Sequence, residues 1–141
     1  MLWVNGRRGY TLVDMTVVLI IIGAVLSMSA PLSRRVIANY QLNTAVQTLT
    51  SDLAQTKIRA IQANEVSTVK LESESYYRAA GHPRELPGMV KFDGSSSDSV
   101  AFNGLGAVTD GTAHAFLLVN TYGETREVRI YAAGGHEVRK P

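Results

Sequence analysis

The chain has 141 residues, enough for one small domain with a modest core. Charged residues make up 18% and hydrophobic residues 45%, which is too apolar for disorder and ordinary for a folded domain. A formal net charge of +2 gives no bulk case for nucleic acid, and the absence of cysteine excludes a disulfide framework, a thiolate nucleophile and a cysteine metal site.

In chain order, the first feature is a nearly unbroken apolar run from Leu12 to Ala30. As a helix at about 1.5 Å per residue it would reach roughly 28 Å, close to the hydrocarbon thickness of a bilayer. Arg7 and Arg8 precede it and belong on the cytoplasmic side under the positive-inside rule. An ordinary secretory signal, with Ser27 and Ser29 as its small-residue cleavage pair, would share these features, and so would a twin-arginine signal. Three observations argue against both. Pro31 stands beside any such cleavage point, the run is longer than a usual signal core, and Asp14 lies inside it. A carboxylate at the edge of a lipid-embedded helix is costly and marks a functional site in need of a partner.

The stretch Gly6-Arg7-Arg8-Gly9-Tyr10-Thr11-Leu12-Val13-Asp14 resembles the leader and mature start of type IV pilins and type II secretion pseudopilins. That family has a short basic leader closing on glycine, then an aromatic residue, Thr-Leu, an aliphatic residue and an acid. The resemblance implies that a prepilin peptidase cleaves between Gly9 and Tyr10 and methylates the new amine of Tyr10. It also implies that Asp14 forms an assembly charge pair with the Tyr10 amine of a neighbouring subunit. Pro31 falls where the family has its helix-kinking proline. The family usually carries glutamate at the position of Asp14, one methylene longer. The chemistry is consistent with these roles. Glycine lets a membrane protease approach the backbone closely, and a freed amine in a low-dielectric region needs a counter-charge. Removal of residues 1–9 would also take Arg7 and Arg8 away, leaving the mature side chains close to neutral.

Beyond Pro31, Ile37, Tyr40, Leu42, Ala45, Val46, Leu49, Leu53, Thr56, Ala60 and Ile61 recur at three- and four-residue steps. Arg34, Arg35, Gln41, Asn43, Gln47, Asp52, Gln55 and Arg59 fall on other faces. This pattern predicts one helix over about 11–63, kinked at Pro31, whose apolar stripe packs on a sheet.

From Val66 the period shifts toward two. Strands are predicted over Val66–Leu71, around Tyr76-Tyr77, and over Met89–Phe92, Val100–Phe102, Ala113–Val119, Thr125–Tyr131 and His136–Arg139. His82 through Gly88 reads as a loop, Asp93–Asp98 as a turn, and Tyr122-Gly123 as a hairpin. Val128 and Ile130 should face inward, with Glu127, Arg129 and Tyr131 outward. The class is therefore α+β: a long N-terminal helix, membrane-embedded in its first half, packed on a C-terminal antiparallel β-sheet domain. That is the pilin fold the resemblance implies. The expected segments are a leader at 1–9, a transmembrane and assembly helix at 10–30, an amphipathic continuation at 31–64 and a β-rich globular head at 65–141.

The head resembles more loosely the GspH/FimT group of minor pilins. The matching positions are Ala54, Arg59-Ala60-Ile61, Asn64, Val66, Val69 and Leu71, the stretch Val100–Gly106, and the closing Gly135–Arg139. Some members of that group bind DNA through C-terminal arginines. By that resemblance Arg126, Arg129, Arg139 and Lys140 form a candidate phosphate-binding patch. Glu124, Glu127 and Glu137 are interleaved among them, so a solvated mixed-charge face is the competing reading.

No Gly-x-Ser-x-Gly elbow and no phosphate loop opening a helix is present, and His82, His114 and His136 lack metal-ligand spacing. Asp93, Asp98 and Asp110 lie in turn-rich segments that match no EF-hand, which favours turn chemistry over calcium. The expectation is a structural subunit without enzymatic activity, cofactor or metal. By resemblance it is anchored once in the bacterial inner membrane, with its head in the periplasm, and joins a pilus or pseudopilus. The implied partners are other pilin or pseudopilin subunits, the prepilin peptidase, the inner membrane, and a secreted cargo or DNA.

Overall fold

The computed structural model describes residues 11–141, with backbone alone for residues 28–32. The expected cleavage and methylation positions Gly9 and Tyr10 lie outside the described residues, and so does the Pro31 ring on which the expected kink depends. Helix α1 (Leu12–Ala63) is followed by β1 (Ser67–Leu71), β2 (Tyr76–Ala79), β3 (His82–Glu85), β4 (Val90–Phe92), β5 (Ser99–Phe102), β6 (His114–Asn120), β7 (Thr125–Ile130) and β8 (His136–Arg139). The helix ends where Asn64 turns left-handed at φ 51°. There the Asn64 N–H bonds the Ile61 carbonyl at 3.3 Å and the Glu65 N–H bonds the Ala60 carbonyl at 3.2 Å. This paired 5→2 and 6→1 pattern satisfies the last carbonyls and stops the helix.

The described residues form two compact units, one reaching to Arg35 and the other spanning Val36–Pro141. The first is helical from Leu12 onward. In the second, the expected antiparallel β-sheet domain consists of two four-stranded sheets, β3-β2-β1-β5 and β4-β6-β7-β8. One apolar cluster joins Leu42, Ala45, Val46, Leu49, Leu53 and Ala60 of α1 to both sheets. The sheets supply Val69, Tyr77, Val100 and Phe102 on one side and Phe92, Phe116, Leu118, Val128 and Ile130 on the other. Tyr77 meets Phe92 edge-on at 5.8 Å, and Phe92 meets Phe116 at 6.1 Å, so a column of rings crosses between the sheets. Val128 and Ile130 face inward as the alternation predicts.

Three expectations are corrected. Ile37, Tyr40 and Ile61 are 46%, 72% and 45% exposed, because the buried stripe runs through Ala38 and is narrower than the apolar spacing suggests. Asp52, assigned to a solvent face by its charge, is buried. His82–Glu85 is not a loop but β3, the edge of its sheet. The β2–β3 connection is the two-residue turn Ala80-Gly81, with φ of 48° and 86°. Such a turn needs positive φ at both positions and favours Asn-Gly, so alanine at its first position hides it from sequence reading. An edge strand also tolerates Pro83, whose missing N–H need not face a neighbour.

The β7–β8 turn is fastened to the helix by Lys57, whose Nζ donates to the Gly134 carbonyl at 3.0 Å. Gly134 has φ 78°, and a Cβ there would overlap the Gly106 carbonyl oxygen. Gly134→Ala combines left-handed strain with overpacking and should lower unfolding free energy by about 2–4 kcal/mol in a denaturant titration. Gly111→Ala, at φ 70° but with open space around it, should cost only about 1–2 kcal/mol.

Candidate assembly surface

The start of α1 is built by two side chains. The Asp14 N–H donates to Thr11 Oγ1 at 3.3 Å, while Thr11 Oγ1–H and the Thr11 N–H donate to Asp14 Oδ2 at 3.1 and 3.4 Å. This is a reciprocal capping box with aspartate in the usual glutamate position, and it satisfies donors that a helix start leaves open. Asp14 thus has a local role besides the expected charge pairing, and the Thr11-x-x-Asp14 spacing signals it. The same bonds hold the carboxylate beside the Thr11 amide, one residue from Tyr10.

Behind this cap, every large apolar side chain from Leu12 to Leu26 is between 49% and 85% exposed. Val17 to Ile22 are six consecutive apolar residues, so at 100° per residue they cover every face of the helix. That is far more than a soluble surface ordinarily carries. The described side chains of the run, Leu12–Ser27, span about 24 Å, and among the described residues no helix is long and apolar enough to cross a membrane.

The four C-terminal cations do not converge. The β7–β8 register pairs Glu127 with Arg139 and Arg129 with Glu137, which puts these residues on one face. Arg126 and Lys140, each offset by one residue, belong to the other. Arg129 lies 2.8 Å from Glu127, and Arg139 lies 2.9 Å from Glu137. Arg126 and Lys140 each lie 3.8 Å from Glu124. Hydrogen bonds from Arg139 and then Tyr131 hold the Glu137 carboxyl below its ordinary range, so that pair stays charged. The faces are of mixed charge.

The other acids serve turns. Asp93 accepts from the Ser95 hydroxyl at 2.6 Å and amide at 3.0 Å, which lowers its carboxyl's affinity for a proton. Asp110 accepts from the Thr112 amide at 2.9 Å and contacts His114 Nε2 at 2.9 Å. No group of three metal-ligating side chains comes together among the described residues.

Asp52 is the polar residue that sequence reasoning placed wrongly. It follows Leu49 by three residues and precedes Thr56 by four, which puts it on the buried stripe. Its Oδ2 accepts from the Tyr77 hydroxyl at 2.7 Å and lies 3.2 Å from Arg84 Nε, while Oδ1 accepts from Arg84 Nη2 at 3.3 Å. A forked guanidinium contact and a hydroxyl together compensate the buried charge. Burial, and then the bond to Asp52, push the Tyr77 hydroxyl far above the ordinary tyrosine range.

Because the folded chain keeps Tyr77 protonated while the unfolded chain ionises it near pH 10, stability should fall as pH rises above about 10. Tyr77→Phe should lower stability at neutral pH by about 1.5–3 kcal/mol and flatten the alkaline decline, read from urea midpoints at successive pH values.

Solved structures similar to this chain include two crystal forms of the type IV minor pilin FimU from Pseudomonas aeruginosa strain PAO1. The TM-scores are 0.60 and 0.61 at 13% identity; the matches cover 70% and 72% of this chain and 92% and 90% of the FimU chains. No protein-family model and no curated protein sequence matches the chain. The likeness establishes the pilin fold, with an N-terminal helix packed on antiparallel sheets.

Proposed function

We propose that this chain is a minor pilin or pseudopilin, a structural subunit of a type IV pilus or a type II secretion pseudopilus. One observation carries the reading: a helix apolar on every face begins at a carboxylate-bearing cap, on a chain with the pilin fold. Prepilin peptidase removes residues 1–9 and methylates Tyr10, and the chain waits in the inner membrane with its head in the periplasm. On assembly, Asp14 neutralises the Tyr10 amine of a neighbouring subunit. Leu12 to Leu26 exchange lipid for other subunits' helices, so extraction never exposes them to water. Pro31 kinks the helix between its assembly segment and its head segment, since proline removes one backbone hydrogen bond. The work is mechanical, and no catalytic group is assigned.

The capping box supports this reading by fixing where the carboxylate sits. Aspartate is shorter than the family's glutamate, yet its bonds to Thr11 hold it toward the end where the new amine forms. The DNA-binding alternative draws no such support, because Arg126, Arg129, Arg139 and Lys140 divide between two faces and each has a carboxylate within 4 Å.

Asp14→Ala should insert into the membrane normally but enter sheared filaments at least tenfold less, whereas Asp14→Glu should assemble. Thr11→Ala keeps the charge but loses the hydroxyl that positions it, so it should assemble less well than the parent and far better than Asp14→Ala. Normal assembly of Asp14→Ala would overturn the charge-pairing mechanism.

A further inference from the structure

A polar cleft of about 510 Å³ opens between α1 and the β2–β3 hairpin, with Asp52, Thr56 and Arg59 on the helical wall and Ala80, His82 and Arg84 on the other. We propose that this cleft is a docking socket for an acidic loop of an adjacent subunit, whose carboxylate is held by Arg59 and Arg84. The proposal rests on the filament reading and names one contact within it.

Three observations meet at the cleft. The first is charge. Six other Arg and Lys side chains of the head lie beside carboxylates, as does Arg84 itself, which is half exposed and spends Nε and Nη2 on Asp52. Arg59 has no carboxylate partner among the described residues, and its Nη1 donates only to the Ala80 carbonyl, at 3.1 Å. Asp52 and Arg84 cancel, which leaves the cleft one guanidinium in excess. The second is donor geometry. Arg59 and Arg84 line the same space, and guanidinium forks match a planar carboxylate. The third is a fixed wall. Ala80 holds a left-handed φ of 48°, pinned through its carbonyl by Arg59 and through its N–H by the Thr68 carbonyl at 3.1 Å. The two-residue turn requires this conformation, and the two bonds hold it, so this side of the cleft has a set backbone shape.

The occupant follows from these features. The cleft is several times larger than one carboxyl group, so it admits the tip of a loop. A nucleic-acid backbone would need a row of cations, whereas this recess offers one excess charge and places Asp52 in its wall.

The test uses the full-length chain in its own filament. Arg59→Glu should reach the membrane at the parental level and keep its thermal midpoint within a few degrees, yet incorporate about tenfold less; Arg59→Lys should retain most incorporation. Lysine in place of one acidic loop residue of a neighbouring subunit should restore Arg59→Glu. Because Arg59 also steadies the turn, Ala80→Gly is combined with Arg59→Glu, and the defect should persist. Normal incorporation of Arg59→Glu, rescue by Ala80→Gly alone, or failure of every acidic-to-lysine change in the neighbours would each overturn the socket. Asp14→Ala is run beside them: its failure to assemble alongside normal Arg59→Glu removes the socket alone, and normal assembly of both removes the filament reading as well.

Discussion

The constraint on which the molecule turns is that the stretch of α1 from Leu12 to Leu26 carries apolar side chains on every face and leaves them exposed within a single chain. Eleven large apolar side chains from Leu12 to Leu26 remain at least 49% exposed. Covering what is left of each contributes roughly 1 kcal/mol, so the segment as a whole carries on the order of 10 kcal/mol. That is comparable to the entire net stability of a small domain. Burying these side chains would need an apolar cover that the described residues of this chain do not supply. Asp14 is the one acidic residue in that stretch, and it sits in the cap that opens the helix.

The second half of the same helix solves a different problem: how to hold two sheets against one rod. The apolar stripe supplies the adhesion, but polar side chains along its margins set the registry. Asn39 meets buried Asn120 at 2.7 Å, and Gln41 accepts from the Met89 amide at 3.2 Å, both fastening the β4-β6-β7-β8 sheet. Asp52 and Arg59 fasten the β2–β3 hairpin, and Lys57 fastens the β7–β8 turn. Each contact joins residues more than twenty positions apart, so loss of one loosens a defined corner of the head.

Periodicity carried much of this architecture in plain view. The helix and its end near Asn64, the inward Val128 and Ile130, and the closing strand His136–Arg139 all follow from spacing and composition. Asp52 escaped because a lone carboxylate reads as solvent-facing, and its partners Tyr77 and Arg84 lie 25 and 32 positions away. The β2–β3 hairpin escaped because Ala80 occupies a backbone region where alanine is rare, and Pro83 sits in a strand that only its edge position permits. The C-terminal cations read as one patch in sequence, but a one-residue offset in a strand sends a side chain to the opposite face. In each case what was missing was a long-range partner or a register, neither of which local pattern encodes.

The most direct measurement is the intact mass and N-terminal fragment spectrum of the chain isolated from its own envelope. The expected product is a polypeptide whose first residue is Tyr10, carrying a methylated amine. A chain still beginning at Met1, or one cut near Ala30, would contradict it, because Asp14 would then have no terminal amine to meet.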